Sequence, residues 1–164
     1  MDRKIIIVIS LLVVLLIAIV FFIMVGGRET LYVDPQKSVE TVGQSFTVDI
    51  SVSNVNNLYG WEIKLRWNAT VLDAVSVTEG SLLKGGGDTF FTNQTNNTMG
   101  FVRVDCTLLG DVSGVSGSGT LVTIQFYVKK SGDCGLDLYD TRLVNSMEQP
   151  IAHAVTDGYF NAVP

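Results

Sequence analysis

The chain has 164 residues, 47% of them hydrophobic and 16% charged, with a formal net charge of −5. Beyond residue 28 eight cations stand against fifteen acids, and a net charge of −7 offers nucleic acid no basic footprint. One His, two Cys and no HExxH or CxxC spacing exclude the common zinc sites.

In chain order the first element is an apolar run over residues 5–25, in which Ser10 alone is polar. As a helix such a run rises about 30 Å, the hydrocarbon thickness of a bilayer. A secretory apolar region is shorter, about 7–15 residues, and no A-x-A site follows here. Residues 1–28 are therefore expected to be an N-terminal membrane anchor with one transmembrane helix. Arg3 and Lys4 before the run stay cytoplasmic, which puts residues 29–164 outside the cell. Cleavage near Val25-Gly26-Gly27 would instead make the segment a signal peptide and the domain a secreted one. A pilin-like filament helix is a third option, without a processing site before the run to support it. Three sequons, at Asn68, Asn93 and Asn96, mark possible N-glycosylation and agree with an outside location.

Residues 29–164 alternate with a period of two. Phe46, Val48, Ile50 and Val52 alternate with Thr47, Asp49 and Ser51. Tyr59, Trp61, Ile63, Leu65 and Trp67 alternate with Gly60, Glu62, Lys64 and Arg66. Val102, Val104 and Cys106 alternate with Arg103, Asp105 and Thr107, and Val122 to Val128 and Leu136 to Tyr139 follow the same rule. This period puts one side of each strand in a core and the other in water. Further strands are expected at 30–34, 71–78, 88–92 and 155–162. Turns are expected at 54–57, 85–87, 110–119 and 131–133, and an exposed loop at 92–98. The sum is an all-β domain of about nine short strands in two packed antiparallel sheets, a sandwich or jelly roll.

Trp61 and Trp67 share a strand face with Tyr59, Ile63 and Leu65, and five apolar residues on one face place both rings in the core, which removes them as a sugar-binding platform. His153 between alanines fits no Ser-His-Asp or Cys-His arrangement. No acid pair is set for glycoside hydrolysis, and no enzyme activity is expected. Asp111, Asp133, Asp137 and Asp140 form no D-x-D-x-D-G calcium loop, so no metal and no cofactor are expected. The glycine-rich stretch 110–119 lacks the Lys of a phosphate loop and reads as a flexible connection.

The order of several short motifs carries a resemblance. Val42-Gly43-Gln44-Ser45-Phe46-Thr47-Val48 opens it, followed by Asn54 to Glu62. Leu65-Arg66-Trp67-Asn68-Ala69-Thr70-Val71-Leu72 then stands at an L-x-Y-(D/N)-x-x-x-L pattern. Val75 to Leu83, Gly117-Ser118-Gly119-Thr120-Leu121-Val122-Thr123-Ile124-Gln125-Phe126 and Asp157-Gly158-Tyr159-Phe160 complete the series. Residues 31–162 so resemble a cohesin domain, the receptor module for dockerin-bearing proteins. The resemblance implies a nine-stranded jelly roll and a non-catalytic cell-surface module that binds a dockerin-type or other protein partner. Carbohydrate-binding modules share that fold, so a polysaccharide ligand is the rival reading, and a structural surface or filament subunit a third. The partner-binding face implied carries Gly60, Glu62, Lys64 and Arg66, with Arg103, Asp105 and Thr107 on the adjoining strand. Gly60 stands where some cohesins place Asn. Cys106 and Cys134 are an even pair outside the cell, which invites a disulfide. The implied fold sets them on non-adjacent strands, which leaves the bridge open.

Overall fold

A computed structural model describes residues 27–164. The expected transmembrane segment, residues 5–25, lies outside the described residues. Among the described residues no helix is long and apolar enough to cross a membrane. Ten strands carry the fold: β1 (Thr30–Asp34), β2 (Lys37–Thr41), β3 (Ser45–Arg66), β4 (Leu72–Glu79), β5 (Thr89–Asn96), β6 (Phe101–Leu108), β7 (Val115–Val128), β8 (Gly132–Asn145), β9 (Ala154–Thr156) and β10 (Gly158–Val163). One 3-10 turn, Leu83–Gly85, precedes β5.

The domain is an all-β sandwich organised by β3. Its first half, residues 45–52, pairs antiparallel with β1 and β7. Its second half, residues 58–66, pairs antiparallel with β6 and β8. The two apolar alternations read in the sequence therefore belong to one 22-residue strand that serves both sheets. The expected turn at 54–57 is instead the crossover between them. The register slips on either side of Val55, and Asn54 and Asn57 both take φ 57°. Asn tolerates this left-handed backbone better than most residues.

The remaining strands extend the two layers. β4 joins β7 and β5 joins β6. β9 runs parallel to β1, while β10 pairs antiparallel with the start of β8 and parallel with β2. Ten strands replace the expected nine for local reasons. β2 is a polar strand with no fully buried residue, so alternation could not flag it. The polar loop expected at 92–98 is mostly strand, because β5 continues to Asn96 along β6. The glycine-rich connection is half strand, since β7 begins at Val115 and pairs with β3 through Gly117 and Gly119. The C-terminal segment divides at Asp157, whose carboxylate accepts the Leu138 N–H at 2.8 Å.

Inward-facing side chains fill the space between the sheets. Val48, Ile50, Ile63, Leu65, Ile124 and Phe126 have no exposed surface. Trp61 and Trp67 are buried as the alternation requires. The Trp67 ring meets Phe126 edge-on at 5.1 Å, and Trp61 meets Phe91 at 6.3 Å. Phe46 stacks on Phe160 at 4.3 Å and ties β3 to β10. The two indoles differ in their polar atoms. Trp67 Nε1 donates to the Leu72 carbonyl at 3.0 Å, whereas buried Trp61 Nε1 has no partner among the described residues.

The disulfide that the sequence allowed is not formed: Cys106 and Cys134 are free buried thiols. Cys106 lies opposite Trp61, and Trp61 lies opposite Leu143 on its other side. Cys134 comes nine residues earlier on β8, against Phe160. At about 3.3 Å per residue that is a separation of roughly 25–30 Å, against the ~7 Å limit for bridged Cα atoms. Burial, then the neighbouring Glu79 carboxylate, pushes the Cys106 thiol up to about 12. Burial also raises Cys134, against the opposing effect of the Asn68 N–H that donates to its sulfur at 3.1 Å.

Two outcomes follow from this core. Iodoacetamide at pH 8 will modify neither thiol in the folded domain and both after denaturation; an unfolded chain without reactive thiols would mean a bridge. Trp67→Phe will cost about 1–3 kcal/mol more than Trp61→Phe in denaturant titrations, because it leaves the Leu72 carbonyl without its donor. Equal costs for the two changes would contradict that assignment.

Candidate partner-binding face

The outer side of the second half of β3 lies between β6 and β8, with β5 beyond β6. Register fixes which residues share it. Gly60 stands opposite Thr107, Glu62 opposite Asp105, and Lys64 opposite Arg103. All seven residues read from the sequence, Arg66 included, therefore lie on one face. Phe90, Thr92 and Gln94 of β5 continue these rows beyond β6. On the other side β8 adds Arg142 beside Glu62, Tyr139 beside Lys64 and Asp137 beside Arg66.

Asp137 and Tyr139 follow the alternation read in the sequence and needed only register to place them beside β3, whereas Arg142 was missed because the alternation changes phase. Leu136 and Leu138 point inward at even positions, but the next buried residue is Leu143. The register shifts between Glu62 and Lys64, and Asp140 takes φ 45° at that irregularity. A bulge re-aims the side chains that follow it. The signal was present as the jump in apolar parity from Leu138 to Leu143.

The charges on this face are paired rather than simply solvated. Arg103 reaches Glu62 at 2.9 Å and Asp105 at 3.1 Å. Lys64 reaches Glu62 at 3.2 Å and Asp140 at 3.6 Å. Arg66 contacts Asp137 at 3.2 Å, with its guanidinium 5.6 Å from the Tyr139 ring centre. Glu62 is the hub, with only 17% of its side chain exposed. Its burial works to raise its pKa, but the Lys64 hydrogen bond and the charges of Arg103, Lys64 and Arg142 outweigh that and hold it below the ordinary carboxylate value.

Four of the eight cations beyond residue 28, Lys64, Arg66, Arg103 and Arg142, gather here with Glu62, Asp105, Asp137 and Asp140. The face is thus neutral within an acidic domain. Arg142 is exposed and makes no ion pair among the described residues. At Gly60 a side chain would crowd Thr107 Oγ1 at 3.2 Å and Val144 Cγ2 at 3.3 Å, so this neighbourhood suits glycine.

Other sequence candidates lie elsewhere. The loop leaving β6 is tied down: Tyr59 donates its hydroxyl hydrogen to the Gly110 carbonyl, and the Gly114 N–H donates to Asn57 Oδ1 at 2.9 Å. His153 bridges the Ile151 carbonyl and the Thr141 hydroxyl, each at 2.9 Å, as a packing residue. Asp133 accepts from Tyr159 at 2.7 Å and Asn161 at 2.6 Å, away from Asp111 and Asp140. Among the described residues no group of three or more His, Cys, Asp or Glu is placed to hold a metal ion. Asn68 and Asn93 are exposed and Asn96 is half-buried. The Asn68 carboxamide oxygen accepts both the Thr70 N–H and hydroxyl, at 3.0 and 2.8 Å. The exposed aromatics Phe90, Tyr127 and Tyr159 stand on three different strands, and both tryptophans are buried.

The cohesin domain family matches residues 32–156 of this chain. No curated protein matches it. Among solved structures, a non-cellulosomal cohesin from the hyperthermophilic archaeon Archaeoglobus fulgidus is 19% identical, with 84% of this chain and 93% of that one covered and a TM-score of 0.69. The sixth cohesin of Acetivibrio cellulolyticus scaffoldin B, solved in complex with a dockerin, is 18% identical over 84% of this chain and all of that one, with a TM-score of 0.67. A type I cohesin–dockerin complex from Clostridium thermocellum gives a TM-score of 0.72 at 10% identity, again over 84% of this chain and all of that one. At these identities the structures share the fold, and the family match assigns membership: the chain belongs to the cohesin domain family.

Proposed function

We propose that residues 29–164 are an outward-facing, non-catalytic capture module held at the cell surface by residues 5–25. The partner is a protein of the dockerin type, received on the outer face of β5, β6, β8 and the second half of β3. The observation that carries this reading is the concentration of half the domain's cations, with four acids, on one four-stranded face. Family membership supports the partner class, since related cohesins are solved with dockerins bound. A burial pattern without an exposed aromatic strip favours a protein over a polysaccharide.

The network prepares this face for a partner. Glu62, Lys64, Arg103 and Asp105 already hold one another, so little side-chain freedom remains to be lost on docking. Arg142 is the charge left over, and it sits beside the hub. It offers a partner carboxylate a fork of donors without first breaking an internal pair.

The reading is tested by calorimetric titration of residues 29–164 with dockerin modules, with and without calcium. Arg142→Ala will weaken binding by about 1–3 kcal/mol while changing stability by less than ~0.5 kcal/mol. Retention of full affinity would remove this face from the interface. Glu62→Gln will behave differently and lower stability itself by about 1–2 kcal/mol at pH 7, between the values for exposed and buried pairs. Because the Glu62 pKa is depressed on folding, that stability is present above the unfolded carboxylate value and fades as pH falls through the folded one. The gap between wild type and Glu62→Gln will therefore be constant from pH 7 to 5 and will close toward pH 3. A gap unchanged at pH 3 would show that Glu62 acts by shape and not by charge.

A further inference from the structure

We infer that the crossover end of the sandwich rests on the bilayer surface through Leu109, Val112 and Met147. This rests on the proposal that residues 5–25 span the membrane. Gly27 follows Val25 by two residues, which reach at most about 7 Å. Gly27 itself is packed against the Asn54 side chain in the β3 crossover. The next residues have no slack. The Arg28 carbonyl accepts the Thr30 hydroxyl at 3.2 Å, and the Glu29 carbonyl accepts the Ala154 N–H at 2.9 Å. Thr30 then pairs with Ser53. A chain leaving the hydrocarbon at Val25 thus brings residues 53–57 to the level of the lipid headgroups.

The same crossover holds two loops. Asn57 Nδ2 donates to Ser146 Oγ at 2.9 Å, which fixes the turn at 145–149. Asn57 Oδ1 accepts the Gly114 N–H, which fixes the loop at 109–114. These two segments carry large apolar side chains that the domain does not cover: Leu109 is 49% exposed, Val112 37% and Met147 67%. Such residues beside a membrane entry point favour shallow insertion, about 5–10 Å, at the headgroup boundary. Asp88, Asp111 and Glu148 stand among them, and Glu29 follows Arg28 on the tether, so the contact is made by the apolar side chains and suits a zwitterionic surface rather than an anionic one. The opposite end gives a matched control. Met99 is 72% exposed on the turn before β6, and the eight residues of β6 put about 25 Å between it and Leu109. The partner-binding face then stands upright on the membrane, with Gly60 near the lipid and Arg66 away from it.

The experiment uses the full chain in phosphatidylcholine vesicles. Single variants Met147→Cys, Val112→Cys and Met99→Cys are labelled with an environment-sensitive fluorophore, while the two native thiols stay buried and unlabelled. Quenching is read with lipids that carry a nitroxide near the headgroup. The expected result is at least twofold stronger quenching at 147 and 112 than at 99. Equal, weak quenching at all three in a chain that floats with vesicles would overturn the docking and leave the anchor standing. A blue shift at 147 without lipid quenching would assign those loops to a protein neighbour, a second copy or a partner, and would also overturn it. A chain that does not float with vesicles would overturn both the anchor and the inference that depends on it.

Discussion

One strand that serves two sheets is the constraint on which the structure depends. β3 contributes Phe46, Val48 and Ile50 to the core from one layer and Trp61, Ile63 and Leu65 from the other. Its passage between layers is made by two asparagines in left-handed backbone, and their side chains do further work there. Asn57 clamps the loop before β7 and the turn after β8, while Ser116 and Ser118 of β7 accept the N–H groups of Asn57 and Asn54 at 2.9 and 3.0 Å. Backbone polar groups that a twisting strand leaves unpaired are thus satisfied by side chains. The crossover fixes the phase of the second half of β3, and that phase decides which residues reach solvent.

The outer face follows from that phase. With Trp61 and Leu65 inside, Glu62, Lys64 and Arg66 must face out. Their neighbours on β6 and β8 are set by register: across β8 Glu62 faces Arg142 and Arg66 faces Asp137, while across β6 like charges stand opposite and Arg103 reaches Glu62 on the diagonal. Cross-strand pairs of this kind contribute modestly to stability, but they hold long side chains in one arrangement. A face assembled in this way is neutral, with most of its charges already paired. In the proposed reading, its selectivity rests on groups not consumed internally, Arg142 beside the hub and Phe90 at the edge.

Much of this was legible in the sequence, and the failures have physical causes. Strict alternation identified the core strands, the burial of both tryptophans and the outward set on β3 and β6. Motif order identified the family that the later match assigns. β2 escaped because an edge strand with two partly exposed faces has no apolar period to read. Residues 54–57 look like a hairpin turn because Asn serves turns and left-handed strand positions alike. Residues 92–96 look like a loop because β5 is an edge strand whose outer half is polar on both sides. Arg142 was invisible because a bulge at Asp140 inverts the alternation within a single strand, and no composition rule marks it. The ion pairs required register, which one sequence does not give.

The central claim is that the outer face of β5, β6, β8 and the second half of β3 receives the partner. The most direct measurement is an NMR titration of the isotope-labelled domain with a dockerin module. The account predicts amide shifts concentrated at 60–66, 103–107 and 139–144, with residues 37–41 and 159–163 unmoved. Shifts centred on β2 and β10, or none with any dockerin, would contradict it.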